Sequence, residues 1–173
     1  MNRVKEIFKG RVLDISLETI TLPNGNDVDL EIIRHPGGAC ALPLHDDGDV
    51  SLVRQYRHPA GDILWEIPAG RIEDGEDPEY CAGRELREEA GFTAGKMEKL
   101  AEFLTTPGFC SEVLHVYLAS ELTSCGQNLD NDECLDVVKL PFTDALNMVF
   151  SGEIRDSKTM LALLLAREKM LPT

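Results

Sequence analysis

Apolar and polar positions change period several times along this chain, and each change marks an element. Residues 12–22 alternate and are rich in β-branched side chains, so they read as a strand. Pro23-Asn24-Gly25 supplies a turn, and residues 28–34 continue extended. Residues 39–44 and 50–56 read as two more strands, flanking Asp46-Asp47-Gly48-Asp49 as a hairpin turn. The period then lengthens: Ala82, Leu86 and Ala90 recur every four residues, the buried face of a helix. Asp77 is placed to cap that helix, Pro78 suits its first position, and Gly91 ends it. Strands follow near residues 99–104 and 113–119. Polar residues 123–132 read as a loop, and residues 135–140 return to strand. Two helices finish the chain, over residues 143–150 and 158–170, the second capped by Asp156 or Ser157.

Strands mixed with three helices predict an α+β or α/β/α arrangement. The 173 residues carry no repeat and no linker-like tract, and suffice for one domain with its own core. No run approaches the roughly 20 apolar residues of a membrane span, and Met1-Asn2-Arg3-Val4-Lys5 lacks a signal peptide's apolar stretch. No membrane association and a cytoplasmic location are the resulting expectations. Five cysteines without CxxC spacing argue against disulfides and zinc; Cys40, Cys81 and Cys134 read as small core residues. A formal charge of −14 argues against nucleic acid as a partner. It also means that an anionic substrate needs local arginines and bound metal.

The candidate chemistry lies in residues 70–92. Arg84, Glu85, Arg87, Glu88 and Glu89 crowd the C-terminal part of the predicted helix, where the macrodipole disfavours carboxylates. Glu85 and Glu89 stand at i,i+4, so their like charges repel. Most Glu/Arg-rich helices are solvated faces. A hard cation between the two carboxylates would turn the repulsion into binding. Gly70, Glu76, Arg84, Glu85, Leu86, Glu88, Glu89, Gly91 and Phe92 fill the pattern G-x5-E-x7-R-E-U-x-E-E-x-G-U, U being bulky and apolar.

That pattern resembles the signature of the Nudix hydrolases, which cleave a nucleoside diphosphate linked to another group. The resemblance implies an α/β/α sandwich with a mixed central sheet and about two or three Mg²⁺ or Mn²⁺ ions per site. It implies metal ligation by Glu85, Glu89, Glu88 and the carbonyl of Ala69, freed by a tight turn at Gly70. Arg84 would orient the glutamates through charge-assisted hydrogen bonds. Pro107 lies fifteen residues past Phe92, and the loop Thr105-Thr106-Pro107-Gly108-Phe109 is similar to that of ADP-ribose pyrophosphatases. So is the acidic run over residues 130–136, from which Glu133, in preference to Glu112, would supply the base or a further ligand. Arg57 first and Arg54 second would contact the pyrophosphate, with Glu112 and Pro107 also lining the substrate; at i and i+3 the two arginines face opposite ways on a strand. Glu66 reads as a partner for an arginine of the motif or as part of the site.

The resemblance implies a small-molecule nucleoside diphosphate sugar as partner, ADP-ribose first, with GDP-mannose or ADP-glucose as the alternative. A non-catalytic nucleotide sensor is a further alternative. Residues 1–35 precede the minimal Nudix domain, expected over 36–173, and read as an extra antiparallel sheet for homodimerisation.

Overall fold

The computed structural model describes residues 3–129 and 134–170. Among these residues ten strands form three sheets. The first is an antiparallel meander of β1 (Arg3–Lys9), β2 (Asp14–Thr21) and β3 (Asp27–Arg34). The turn at Pro23-Asn24-Gly25 forms as expected: Gly25 has φ 88°, and the Asn24 side chain accepts the Asn26 N–H at 3.1 Å. The pattern gave no sign of β1, because its residues are all exposed and no buried face imposes alternation.

The second sheet is mixed, in the order β7 (Ala69–Arg71), β4 (Gly38–Pro43), β9 (Val113–Ser124), β8 (Phe92–Leu104), with β4 and β9 parallel. The third is antiparallel, in the order β10 (Leu135–Pro141), β5 (Asp49–Arg57), β6 (Asp62–Glu66). The turn before Asp49 does form, with His45 N–H on the Asp49 carbonyl at 2.8 Å. It is not the hairpin expected between neighbours in one sheet: β4 and β5 share only the Leu44–Val50 bridge and diverge into different sheets. Every residue of β4 is buried, and such a strand is covered on both faces rather than paired as a hairpin edge.

Alternation along β4 builds the layers. Ala39 and Ala41 face helix α1 (Pro78–Glu85), packing with Cys81, Ala82 and Leu86. Cys40 and Leu42 face the other way, among Phe142 and Val149 of α2 (Phe142–Ser151) and Ala162, Leu163 and Ala166 of α3 (Ser157–Met170). Val116 and Leu118 of β9 join the α3 side, Tyr117 and Ala119 the α1 side. The result is the expected α/β/α sandwich, with antiparallel sheets added to it. Of the two candidate caps for α3, Asp156 is used: its Oδ2 accepts the Thr159 N–H at 3.0 Å and the Thr159 hydroxyl at 2.6 Å. Among the described residues no helix is long and apolar enough to cross a membrane. Cys40 and Cys81 are core residues as read, but Cys134 is exposed. It sits just ahead of β10, where no element covers it.

The N-terminal meander is tied to the main body at the β8–β9 loop and where Arg71 Nη1 donates to the Arg11 carbonyl at 3.0 Å. Ile33 of β3 donates its N–H to the Phe109 carbonyl at 2.7 Å and accepts the Ser111 N–H at 3.0 Å. The Ser111 hydroxyl takes the His35 N–H at 3.0 Å. The Pro107 loop is therefore held by β3.

Candidate active site

Asp77 caps α1 as the sequence indicates, its Oδ1 accepting the Glu79 and Tyr80 N–H groups at 2.9 and 3.3 Å. Gly91 closes the helix with φ 74°. Between them residues Leu86–Ala90 widen into a π-type turn, which a four-residue apolar repeat does not reveal. Glu85 and Glu89 do not lie on a solvated stripe but are 8% and 4% exposed. The last carbonyls of this helix are satisfied from outside it. Asn128 N–H reaches the Glu88 carbonyl at 3.0 Å, Gln127 Nε2 the Glu89 carbonyl at 2.7 Å, and Cys125 N–H the Gly91 carbonyl at 2.8 Å. The segment read as a polar loop is thus, in its first part, the cap of the glutamate helix.

Arg84 organises the carboxylates. Its Nε donates to Glu76 Oε1 at 2.9 Å, and Nη1 to Glu85 Oε1 at 2.6 Å and Glu88 Oε2 at 3.2 Å. Glu76 is a position of the motif to which sequence reasoning gave no role. It holds Arg84 in place and also takes the Glu73 N–H, at 2.9 Å. The Arg84 hydrogen bond pulls the Glu76 carboxyl down to about 2. Cys81, beneath them, has its thiol pushed up to about 12 by burial, so it packs rather than reacts.

Strand β7 meets both metal-candidate glutamates. Ala69 donates its N–H to Glu89 Oε2 at 2.8 Å. A Cβ on Gly70 would fall 1.8 Å from Glu85 Oε1 and 2.1 Å from its Cδ. The glycine at 70 was expected to permit a tight turn. It lies instead within a strand, and its lack of a side chain makes room for the Glu85 carboxylate. The carboxylates gathered here, Glu85, Glu89 and Glu88, offer only oxygen, the preference of a hard cation. Among the described residues no group of three or more acidic, histidine or cysteine side chains is arranged to hold a metal ion by itself.

Beside β7 opens a cleft of about 210 Å³ lined by His35, Gly38, Ala39, Ala69, Gly70, Arg71, Glu112, Leu114 and Lys158. Glu112 accepts the Thr105 hydroxyl at 2.8 Å and lies 3.4 Å from His35 Nδ1. Arg54 and Arg57 diverge as the strand period requires. Arg54 is exposed and sits over the Trp65 ring at 5.2 Å, while Arg57 forks onto Glu66 with two bonds of 2.8 Å. Glu66 therefore pairs with Arg57 rather than with an arginine of the motif. It is buried, which by itself would raise its pKa, but Arg57 and Lys158 outweigh that and hold the carboxyl low. Lys158 was not singled out from sequence, because a lysine in the first turn of a helix carries no pattern. Pro107 is exposed at the tip of the β8–β9 loop. Glu133 lies outside the described residues.

Replacing Gly70 by alanine is expected to leave the fold intact, since the clash falls on the far end of one side chain. It should displace the Glu85 carboxylate and weaken Mn²⁺ binding by about tenfold or more. Titration calorimetry together with thermal unfolding checks both halves.

A model of the NUDIX domain matches residues 34–163. The chain is 44% identical over 161 residues to the ADP-ribose pyrophosphatase of Bacillus subtilis (strain 168), covering 92% of this chain and 87% of that protein. It is 40% identical over 162 residues to the methanol dehydrogenase activator of Bacillus methanolicus, covering 92% and 88%. It is 36% identical over 151 residues to the GDP-mannose pyrophosphatase of Salmonella typhimurium (strain LT2), covering 77% and 78%. The crystal structure of an ADP compounds hydrolase superposes with TM-score 0.84 over 97% of this chain and 91% of that one, at 22% identity, a likeness of fold. With the glutamate helix, its arginine and the glycine-floored strand in place, the chain belongs to the Nudix family of hydrolases.

Proposed function

We propose that the protein hydrolyses the pyrophosphate bond of ADP-ribose, giving AMP and ribose 5-phosphate. The observation that carries the reading is the meeting of buried Glu85 and Glu89 at β7, against a cleft that leads to the Pro107 loop. The relative named for ADP-ribose supports it. GDP-mannose is the second reading, favoured by the relative named for that substrate. Cleavage of a phosphoanhydride asks for charge neutralisation, an activated water and in-line placement. Bound Mg²⁺ or Mn²⁺ would supply the first and assist the second. Glu85, Glu89 and Glu88, with the Ala69 carbonyl, are the residues that would hold it. Arg84 keeps those carboxylates in register, and Glu76 keeps Arg84 in place. Arg57, anchored by Glu66, is the arginine assigned to the pyrophosphate; Arg54, Glu112 and Pro107 line the approach. Glu133 is assigned the base. A small-molecule substrate, no nucleic acid, and a cytoplasmic location complete the reading.

With a panel of nucleoside diphosphate derivatives and Mg²⁺, ADP-ribose is expected to give the highest kcat/KM, with AMP identified by mass spectrometry. Preference for GDP-mannose would move the substrate and leave the chemistry standing. Glu89→Gln keeps an acceptor for the Ala69 N–H, so it should fold normally. Its kcat should drop by orders of magnitude; more than about a tenth of wild-type kcat, a loss under about 1.4 kcal/mol, would contradict the assignment.

Glu133→Gln and Glu112→Gln, measured side by side, separate the two candidate bases. The first is expected to lose at least about tenfold in kcat with little change in stability. A large loss at Glu112 alone would transfer the role to the loop held by Thr105.

The protein is further proposed to be a homodimer joined through the N-terminal sheet. Val4, Ile7, Phe8 and Val12 are more than half exposed there, in and beside a strand with one open edge. Light scattering at micromolar concentration should give twice the chain mass, and a chain lacking about 35 N-terminal residues should be monomeric. A monomeric full chain would end this proposal.

A further inference from the structure

Lys158 occupies a costly position. Its side chain is 12% exposed, and it stands in the first turn of α3, where the helix dipole disfavours a cation. Burying an ammonium is expensive unless its charge is needed by a partner. Its Nζ lies 2.6 Å from Glu66 Oε2 and 3.0 Å from Asp156 Oδ1. Each carboxylate has a second donor as well. Arg57 already spans both oxygens of Glu66, and Asp156 already takes the N–H and hydroxyl of Thr159. An ammonium has three donors, and these two bonds use two of them.

Lys158 also lines the cleft, together with Ala69, Gly70 and Glu112. Besides His35, the other basic side chain on that lining is Arg71, which is exposed and donates to the Arg11 carbonyl at 3.0 Å. A cleft in a chain of net charge −14, bordered by Glu112 and floored by Glu85, repels an anion unless a fixed cation is turned into it. We infer that Lys158 binds a phosphate oxygen of the substrate, with Glu66 and Asp156 serving to aim its ammonium into the cleft. Burial alone would discharge the amine, but Asp156 and Glu66 outweigh it and keep it protonated. Lysine binds phosphate as a point charge, which suits a donor fixed from behind by two carboxylates.

This inference rests on the proposed pyrophosphatase activity. It is tested with a non-hydrolysable α,β-methylene analogue of ADP-ribose in the presence of Mg²⁺, by calorimetry on the full chain. Lys158→Met should weaken analogue binding by about tenfold or more. Lys158→Arg should recover part of that loss, and Mn²⁺ affinity without the analogue should be unchanged in both. A purely structural tie would instead lower thermal stability and leave analogue affinity as in the wild type, and that result overturns the assignment. Should Lys158→Met fail to fold, reductive methylation of Lys158 in the wild type, read by mass spectrometry, gives the answer. The analogue is expected to slow it; an unchanged rate would overturn the assignment too. If the wild type binds no analogue at all, this assignment falls together with the pyrophosphatase reading. If it binds and Lys158→Met binds equally well, only Lys158 is wrong.

Discussion

Two glutamates brought out of water side by side are the constraint on which this structure turns. Glu85 and Glu89 are almost fully buried, and burying charge without compensation costs several kcal/mol per ion. The surrounding structure compensates each in a different way. Glu85 receives the Arg84 guanidinium at 2.6 Å and lies over a residue with no side chain to displace it. Glu89 receives a backbone N–H from the same strand. Arg84 can serve Glu85 and Glu88 together only because Glu76 fixes its other edge. A cluster preorganised in this way would meet a cation with little rearrangement left to make, the kind of preorganisation on which catalysis by charge stabilisation rests.

The rest of the fold supplies positions for that cluster. Alternation along β4 places α1 against one face of the mixed sheet and α3 against the other. The start of α3 then brings Asp156, Lys158 and Thr159 to the segment leading into β7. There the Thr159 hydroxyl takes the Ile67 N–H at 2.8 Å, so the helix on one face fixes the strand that carries Ala69 and Gly70. On the other side, the segment after β9 returns to cap the carbonyls of Glu88 and Glu89. The N-terminal sheet contributes by holding the Pro107 loop, and with it Glu112, at the rim of the cleft. Residues 3–34 thus act on the site within one chain, whatever further contact they make.

The glutamate helix was legible because it is local: a cap, a first-turn proline, a four-residue apolar repeat and a closing glycine all act within a few residues of each other. The motif's spacing likewise told which carboxylates belong together. The strands with one or both faces in the core were legible for the same reason, whereas β1, β6 and β7 were not. β1 is exposed throughout, β6 is a short edge strand, and β7 has three residues, too few for any period to appear. The turn at Asp46–Asp49 was visible in its residues, but whether its flanking strands stay paired depends on the sheets that receive them.

What the sequence settled, then, is the helix that carries the glutamates, its capping, the strand-rich setting and the resemblance to a pyrophosphate-cleaving family. Each of these follows from residue type and short-range spacing. The tertiary structure alone decided that Gly70 serves a close approach rather than a turn, that Arg57 answers Glu66, and that Gln127 and Asn128 finish the helix. It alone put Lys158 into the cleft, with Glu66 from a segment some ninety residues earlier behind it. These are contacts between segments far apart in the chain, made by side chains whose own neighbours give no hint of them. No local period or propensity records such a contact; it exists only once the layers have packed.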